Sequence, residues 1–177
     1  MQYISKYASP LGNILLAADT IGLTGLWFEG QKYFARCLDK EHKETALPIF
    51  DEAKKWLDIY FSGKEPNFKL PLHFTGTEFQ NEVWEMLSAI PYGKTMTYGE
   101  IAQRLGEKRG VPRMSARAVG GAVGHNEISI IVPCHRVIGA NGNLTGYAGG
   151  LKKKIALLRL EGALKEEFFA PSKSSAL

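Results

Sequence analysis

Two adjacent residues in the second half of the chain, Cys134 and His135, could together perform nucleophilic chemistry. They stand in the run Pro-Cys-His-Arg-Val, within a stretch rich in arginine. The pKa of a free cysteine is about 8.5, and a neighbouring base or cation lowers it and favours the reactive thiolate. Most free cysteines are simply small buried hydrophobic residues. That structural role stays open for Cys134, and it is the favoured interpretation for Cys37, which lacks such neighbours.

A histidine that directly follows a cysteine does not automatically reach the sulfur. Successive side chains of an extended chain point to opposite faces, so His135 needs a turn in the backbone or a bridging water to act on Cys134. The imidazole also needs a third group to fix its tautomer. Glu161 follows Leu157 and Leu158 by one turn on the last predicted helix, which puts it on the apolar, inward face. Alternatively, Glu161 lies exposed at a frayed helix end.

The other residues form no metal or cofactor signature. The four histidines and two cysteines show none of the spacings that are typical of zinc sites, so we expect no metal. The sequence also contains no phosphate-binding or dinucleotide-binding glycine motif, and we therefore expect no cofactor.

Basic residues concentrate in the second half of the chain. Residues 1–76 carry nine Lys and Arg against nine Asp and Glu, so the whole net charge of +4 belongs to residues 77–177. Five arginines and one lysine lie between Arg104 and Arg136, opposed by only two acidic residues. Arginine is the residue favoured for phosphate and base contacts. The cluster indicates a polyanionic partner, most simply nucleic acid, or else an ordinary solvated surface.

The composition is that of a globular protein, with 45% hydrophobic and 23% charged residues among 177. These values exclude a disordered chain, a collagen repeat and a coiled-coil rod. No apolar run approaches the ~20 residues of a membrane helix, and the first residues lack the pattern of a secretory signal. Two cysteines cannot build a disulfide framework, so we expect reduced thiols in the cytoplasm, or in the nucleus of a eukaryote.

Residues 1–75 are predicted to form a first domain, a strand meander followed by a helix. Weakly alternating stretches at Tyr3–Tyr7, Ile14–Ala18 and Leu23–Phe28 are separated by turn-forming residues. Apolar residues then recur at helical spacing over Ile49–Phe61. The proline-containing stretch that follows shows no period and is predicted to be a linker.

Residues 76–177 are predicted to form a mainly helical second domain. Capping boxes at Thr77–Gln80 and Thr97–Glu100 begin two helices, and the second helix is expected to end at Gly106. A basic loop, Glu107–Met114, then precedes another candidate helix.

That candidate helix, residues 116–124, is rich in small residues and contains three glycines. The glycines indicate a loop, a helix packed closely on another element, or a helix that lets another backbone come close. A short helix, a turn and a helix with an arginine at its start are typical of a helix-turn-helix DNA reader. Apolar residues 128–132 then predict a buried extended segment that leads to Cys134.

Several segments of the second half together resemble the O6-alkylguanine-DNA alkyltransferases, also called methylated-DNA–protein-cysteine methyltransferases. The resemblance rests on the run Pro-Cys-His-Arg-Val and on motifs that keep the same order from about Phe79 to Gly162. The first half resembles the family's variable N-terminal domain only by position and by its strands-then-helix pattern. The further motifs are Ile90–Thr95, Thr97-Tyr98, Ala116–Ala122, Asn126, Gly146–Gly150 and Leu160–Gly162.

The resemblance implies a mixed α/β (α+β) fold, in which an RNase-H-like sheet domain precedes a helical domain with a helix-turn-helix motif. It implies direct repair of double-stranded DNA, in which the alkyl group on O6 of guanine passes once and irreversibly to Cys134. O4-alkylthymine is left open as a second substrate. By the same resemblance, His135 deprotonates the thiol through a water, Glu161 orients His135, and Asn126 supports the active-site segment. A monomer without cofactor or membrane is implied as well.

The resemblance also assigns the DNA contacts. The target base must leave the duplex to be reached. Arg117 would fill the vacated stack, and Tyr98, Val137, Tyr147 and Ala148 would hold the flipped base. The residues implied in DNA binding are Gln80, Tyr98, Gly99, Arg117, Gly120 and Ala140.

Four features depart from the family's pattern. The loop Glu107–Met114 is long, Ala148 stands where some members have serine, and nothing matches the zinc ligands of animal members. Residues 127–129 lack a proline that many members have, which leaves the shape of the alkyl pocket open. Three other functions remain: a lesion sensor that binds without transfer (such sensors lack the cysteine), a helix-turn-helix regulator, and a multiple-turnover thiol hydrolase.

Overall fold

A computed structural model describes residues 1–171 of the chain. The chain divides into two compact units. The first comprises Met1–Gly76 together with Glu127–Ile131, and the second comprises Thr77–Asn126 and the chain from Val132 onward. Among the described residues, no helix is both long and apolar enough to cross a membrane.

The first unit is built on a four-stranded sheet. Strands β1 (Gln2–Ser9), β2 (Gly12–Ala18) and β3 (Leu23–Phe28) form the predicted antiparallel meander, and β4 (His42–Glu44) adds to the free edge of β1 in parallel. The strand order is therefore β3-β2-β1-β4. All six residues of β3 are buried, including the polar Thr24, although the sequence predicts this strand from a weak alternation.

Helix α1 (Pro48–Phe61) follows the sheet, as its apolar spacing predicts. The side chains of Phe50, Ala53, Leu57 and Tyr60 recur at intervals of three or four residues and are buried. Proline at the first helical position suits the helix start, because its missing N–H would have no partner there.

The second unit is mainly helical, as expected. Both predicted capping boxes are present, with Thr77 and Thr97 accepting from the backbone N–H three residues later. Short strands β5 and β6 pair in parallel. The elements are α2 (Glu78–Ser88), β5 (Met96–Thr97), α3 (Tyr98–Arg109), α4 (Ala116–Gly124), a 3₁₀ turn at Cys134–Arg136, β6 (Val137–Ile138), a 3₁₀ turn at Ala140–Gly142, and α5 (Leu151–Leu160).

Helix α3 is longer than the sequence predicts. It continues through Gly106 to Arg109 and ends at Gly110, whose φ of 70° is the left-handed conformation of a helix C-cap. Gly106 serves a close approach instead, because a Cβ there would lie 2.7 Å from the Cα of Arg113. The predicted loop Glu107–Met114 is correspondingly shorter, since its first three residues are helical.

Residues 128–132 do not form the extended segment that their apolar character predicts. Ile128 makes a single bridge to Leu26 of β3, and the chain then turns. Ile130 adopts a φ of 69°, a left-handed conformation that a β-branched residue rarely takes. Residues 128–130 are buried in the first unit, so their apolar character is that of a buried turn, which resembles a buried strand in sequence.

Candidate active site

Cys134 lies in a turn of the backbone and not in an extended segment. Cys134–Arg136 is a 3₁₀ turn, in which the N–H of Arg136 donates to the carbonyl of Pro133 at 3.0 Å. The N–H of Cys134 donates to the carbonyl of Val132 at 2.8 Å. Cys134 is only 5% exposed. The backbone therefore turns at the cysteine, and the opposite-face rule for extended chains does not apply here.

His135 and Glu161 form a fully buried pair. Nε2 of His135 lies 2.6 Å from Oε1 of Glu161, and both side chains have no solvent exposure. Since a carboxylate only accepts hydrogen bonds, Nε2 carries the proton and Nδ1 is the basic nitrogen of the neutral ring. Of the two placements that the sequence allows for Glu161, the inward one is correct, because α5 ends at Leu160 with its cap turned into the unit.

Arg136 completes the cluster, and sequence reasoning missed it. Its guanidinium donates through Nε to Oε2 of Glu161 at 2.9 Å and through Nη2 to Oε1 at 3.0 Å. Nη1 donates to the carbonyl of Ile90 at 2.6 Å, and the N–H of Gly93 donates to Oε2 of Glu161 at 3.2 Å. Assignment of Arg136 to a basic surface patch was therefore wrong: it is 8% exposed and neutralises a buried carboxylate.

The pKa values follow from this arrangement. Burial alone would raise the pKa of Glu161, but the hydrogen bonds and charges of His135 and Arg136 outweigh it and lower the pKa to about 2. Burial lowers the pKa of His135, and the charges of Arg136 and Lys154 act in the same direction against the pull of Glu161. The site therefore holds a charged carboxylate beside a neutral imidazole that can accept a proton at Nδ1.

Asn126 braces the backbone that leads to the cysteine. Its Nδ2 donates to the carbonyl of Val132 at 2.8 Å, the same oxygen that accepts from the N–H of Cys134. Burial raises the pKa of the Cys134 thiol, while a hydrogen bond from Asn126 and the charge of Lys154 lower it. The thiol is accordingly protonated at rest and needs a base at the moment of reaction.

Lys154 is a second residue that sequence reasoning missed. Its side chain is fully buried, and its Nζ donates to the carbonyls of Val137, Thr145 and Gly146. Burial lowers its pKa to about 8, although the nearby Cys134 sulfur opposes that shift. The spacing held the signal, because Lys154 stands three residues before Leu157 on the same inward face of α5.

Of the residues implied in base binding, Val137 contacts Lys154 directly, and Tyr98 bonds to a carbonyl that Lys154 also contacts. The hydroxyl of Tyr98 donates to the carbonyl of Thr145 at 3.2 Å, and burial together with Cys134 raises the Tyr98 pKa to about 12. A Cβ at Gly146 would stand 3.2 Å from that hydroxyl, so the glycine admits the tyrosine. Val137 is buried in β6, and Tyr147 and Ala148 are half-buried in the turn before α5.

The residues implied in DNA binding lie farther out. Arg117 is exposed in the first turn of α4, and Ala140 is exposed in its 3₁₀ turn. Gln80 is half-buried, and its side-chain oxygen accepts from the N–H of Thr77 at 3.0 Å in the capping box. Gly99 is half-buried in the first turn of α3, where Nη2 of Arg113 would lie 3.2 Å from an added Cβ.

The glycines of α4 face open space. Within the described part of the chain, no atom would come within 4 Å of a Cβ added at Gly120, Gly121 or Gly124, apart from the helix's own backbone. Because residues 116–124 form helix α4, they are not a loop, and the open space excludes close packing on another described element at these three positions. Of the three interpretations of this helix, only a surface that another molecule can approach closely remains.

No cluster of three histidine, cysteine or carboxylate side chains suited to a metal occurs among residues 1–171. Both cysteines are free thiols.

The buried Cys134 centre lies in the second unit, and Asn126, which supports it, follows the glycine-rich helix α4 in the chain. Residues 2–74 match the ribonuclease-like domain of 6-O-methylguanine DNA methyltransferase, and residues 78–163 match the DNA binding domain of the same family. The chain therefore belongs to the methylated-DNA–protein-cysteine methyltransferase family. The predicted family and fold class are confirmed.

Individual relatives agree over nearly the whole chain. The methylated-DNA–protein-cysteine methyltransferase of Methanosarcina acetivorans is 48% identical over 163 residues, which cover 91% of this chain and 99% of the relative. That of Haemophilus influenzae is 42% identical over 160 residues, or 90% and 86% of the two chains. The crystal structure of Mycobacterium tuberculosis OGT in complex with DNA matches with a TM-score of 0.78 at 43% identity, covering 91% of this chain and 93% of that one.

Proposed function

We propose that this protein repairs double-stranded DNA by moving the alkyl group from O6 of guanine onto Cys134. The observation that carries the proposal is the buried His135–Glu161–Arg136 cluster, which follows the cysteine in the chain and leaves a neutral, correctly tautomeric imidazole. A second support is family membership, since the relatives named above are methylated-DNA–protein-cysteine methyltransferases.

The reaction is an in-line displacement at the alkyl carbon. The thiol proton of Cys134 passes to Nδ1 of His135 through one water, and the sulfur forms the new C–S bond. The bond between the alkyl carbon and O6 breaks, and its electron pair stays with the base, which takes up one proton and becomes guanine. Glu161 stabilises the imidazolium formed on the way, and Arg136 keeps that carboxylate charged.

The base would be held by the groups around Lys154. Val137 offers a carbonyl oxygen to the exocyclic amine of guanine, and that oxygen has a second lone pair beside the one occupied by Lys154. The carbonyl of Cys134 serves the same amine, while Tyr147 and the N–H of Ala148 face O6. Tyr98, anchored on the carbonyl of Thr145, is available to the ring and to the target phosphate.

The duplex would dock on the open glycine face of α4. A minor groove can approach Gly120 closely because no side chain intervenes, and Arg117 is exposed at the start of the same helix to enter the stack. Gln80, Gly99 and Ala140 would contact the backbone. We propose that one chain acts as a monomer in a reducing compartment such as the cytoplasm, because the acceptor must be a free thiol.

Intact-protein mass spectrometry tests the proposal. Wild-type protein mixed with an oligonucleotide duplex that carries one O6-methylguanine should gain the mass of one methyl group, on the Cys134 peptide. Cys134→Ser should bind the same duplex and gain no mass, because a serine hydroxyl is a far weaker nucleophile at neutral pH. If the wild type binds but remains unmodified, the protein is a lesion sensor and the proposal fails.

A further inference from the structure

Residues 127–131 precede the Cys134 turn in the chain and pair with strand β3 of the first unit. The N–H of Leu26 in β3 donates to the carbonyl of Glu127 at 2.8 Å, and the N–H of Ser129 donates to the carbonyl of Leu26 at 3.0 Å. Both the N–H and the carbonyl of Leu26 are thus hydrogen-bonded to this five-residue segment. The residues on either side of the segment, Asn126 and Val132, belong to the second unit.

A side-chain cluster adds to these backbone hydrogen bonds. The indole Nε1 of Trp27 donates to Oε2 of Glu127 at 2.8 Å. The thiol of Cys37 donates to the carbonyl of Thr24 at 3.5 Å and lies near enough to feel the charge of Glu127. Trp27 is fully buried. Its ring packs directly on Gly25, where an added Cβ would come within 1.9 Å of it, so no larger residue fits at that position. Burial and the charge of Glu127 raise the pKa of Cys37 to about 12, which keeps that thiol a hydrogen-bond donor.

The segment is held in a conformation that it would not choose alone. Ile130 has a φ of 69°, and a β-branched side chain is strained there. Ile128, Ser129 and Ile130 are each no more than 2% exposed, so burial on the first unit maintains the turn. Such strain persists only where the surroundings over-determine the backbone.

The ends of this strained turn are groups of the active site. Nδ2 of Asn126 donates to the carbonyl of Val132 and closes the turn, and the same carbonyl receives the N–H of Cys134. Asn126 also lowers the thiol pKa of Cys134 through a hydrogen bond. A change in the path of residues 127–131 therefore reaches the cysteine through Asn126.

We propose that Trp27 and Glu127 are positioning residues for alkyl transfer: their buried hydrogen bond fixes the 127–131 turn and, through it, the Asn126 amide that bonds the Cys134 thiol. The inference rests on the proposed function of Cys134. It gives a role to Glu127, which stands in a stretch where many family members have a proline.

The test compares the single-turnover rates of methyl transfer of four variants with that of the wild type at saturating DNA. Trp27→Phe removes the donor and keeps a ring, Glu127→Ala removes the acceptor, and Glu127→Gln keeps an oxygen that can accept from the indole. The matched control is Thr24→Val, in the same strand, which removes the buried hydrogen bond from Gln2 to Thr24 (2.9 Å) and leaves residues 127–131 untouched.

We expect Trp27→Phe and Glu127→Ala to lower the transfer rate about tenfold, because each loses the one hydrogen bond that fixes the turn. Glu127→Gln should transfer within about twofold of the wild-type rate. The pH–rate profile of the two slow variants should also shift to higher pH, because the thiol loses part of its bond from Asn126. The other groups that act on the thiol, Tyr98, His135 and Lys154, are the same in all variants. DNA affinity should not change.

Thermal midpoints separate this effect from simple destabilisation. Thr24→Val should lower the midpoint as Trp27→Phe does, yet keep the wild-type rate and pH profile. The inference is overturned if the control slows transfer equally, or if Trp27→Phe and Glu127→Ala both transfer at the wild-type rate. A wild-type protein that transfers nothing overturns the proposed function instead, so the two failures are distinguishable.

Discussion

Replacing Arg136 with methionine separates a buried structural cation from a DNA-facing one. Its sequence position, at the end of an arginine-rich stretch, favours contact with phosphate, whereas its guanidinium lies within 3.0 Å of both carboxylate oxygens of Glu161. Methionine preserves much of the side-chain length but offers no hydrogen-bond donor. The variant leaves Glu161 with its bonds from His135 and Gly93 and without a full counter-charge.

The expected cost is large because Glu161 is fully buried and the Arg136 side chain is only 10% exposed. Removing one partner of a buried ion pair costs about 3–5 kcal/mol of unfolding free energy. The pair's contribution also depends on pH. Since the pKa of Glu161 is lowered from 4.5 to about 2, the stabilisation is fully present above pH 4.5 and is lost as the pH falls toward 2. In Arg136→Met that loss should begin near the same pH, because the unfolded-state pKa sets its onset, but it should be smaller and should end at a higher pH.

Activity should fall as well, because the Arg136 charge helps to keep His135 neutral. Without it, the pKa of His135 rises and more of the imidazole is already protonated at neutral pH, so the transfer rate drops and recovers in part at higher pH.

Urea unfolding, single-turnover transfer and the salt dependence of DNA affinity together decide the question. We expect a loss of about 3–5 kcal/mol in stability and an unchanged slope of log K against log salt. A phosphate contact would instead contribute ~0.9 to that slope. A variant of wild-type stability whose slope falls by ~0.9 would refute the buried-pair interpretation.

Three further outcomes follow from the geometry. Arg113→Ala should reduce the salt slope by ~0.9, whereas Arg109→Ala should reduce it less, because Arg109 pairs with Glu82 at 3.0 Å; equal slopes for both variants and wild type would remove this surface from the DNA contact. Arg117→Ala should slow repair of duplex DNA far more than transfer from free O6-benzylguanine, since the free base needs no flipping, and equal losses on both substrates would show a role in packing or chemistry. Burial holds the pKa of Lys154 near 8 in the folded protein, whereas the unfolded lysine keeps its proton up to pH 10.5. The free energy of unfolding of the wild type should therefore rise by about 3 kcal/mol between pH 8 and 10.5, as measured by urea unfolding. Lys154→Met should not show this rise.

Local signals in the sequence were sufficient for most of the fold. Turn residues separate the strands of the meander, and the capping boxes at Thr77 and Thr97 begin their helices where predicted. These features depend on residues a few positions apart, so one sequence contains the whole interaction. Gly106 was misread because its reason is the backbone of Arg113, which the sequence does not place beside it.

The sequence motif was enough to predict the reactive residues of the site, but not which charged side chains are buried beside them. The run from Pro133 to Val137 points to the cysteine and histidine, but the direction of a charged side chain depends on the tertiary fold. Arg136 therefore counted as surface charge although it is buried against Glu161. Lys154 went unnoticed because it is the last of three consecutive lysines, which are typical of an exposed helix start. The 127–131 turn was hidden for a similar reason, since its burial comes from β3, a hundred residues earlier.

The number of methyl groups transferred per chain tests the central claim most directly. In the proposed reaction the product is a thioether on Cys134, so each transfer consumes the thiol that performs it. Protein mixed with excess duplex containing O6-methylguanine should repair at most one base per chain and then stop, with the methyl group on the Cys134 peptide. Continued turnover beyond one base per chain, as a thiol hydrolase would show, or a methyl group on Cys37, would contradict the account.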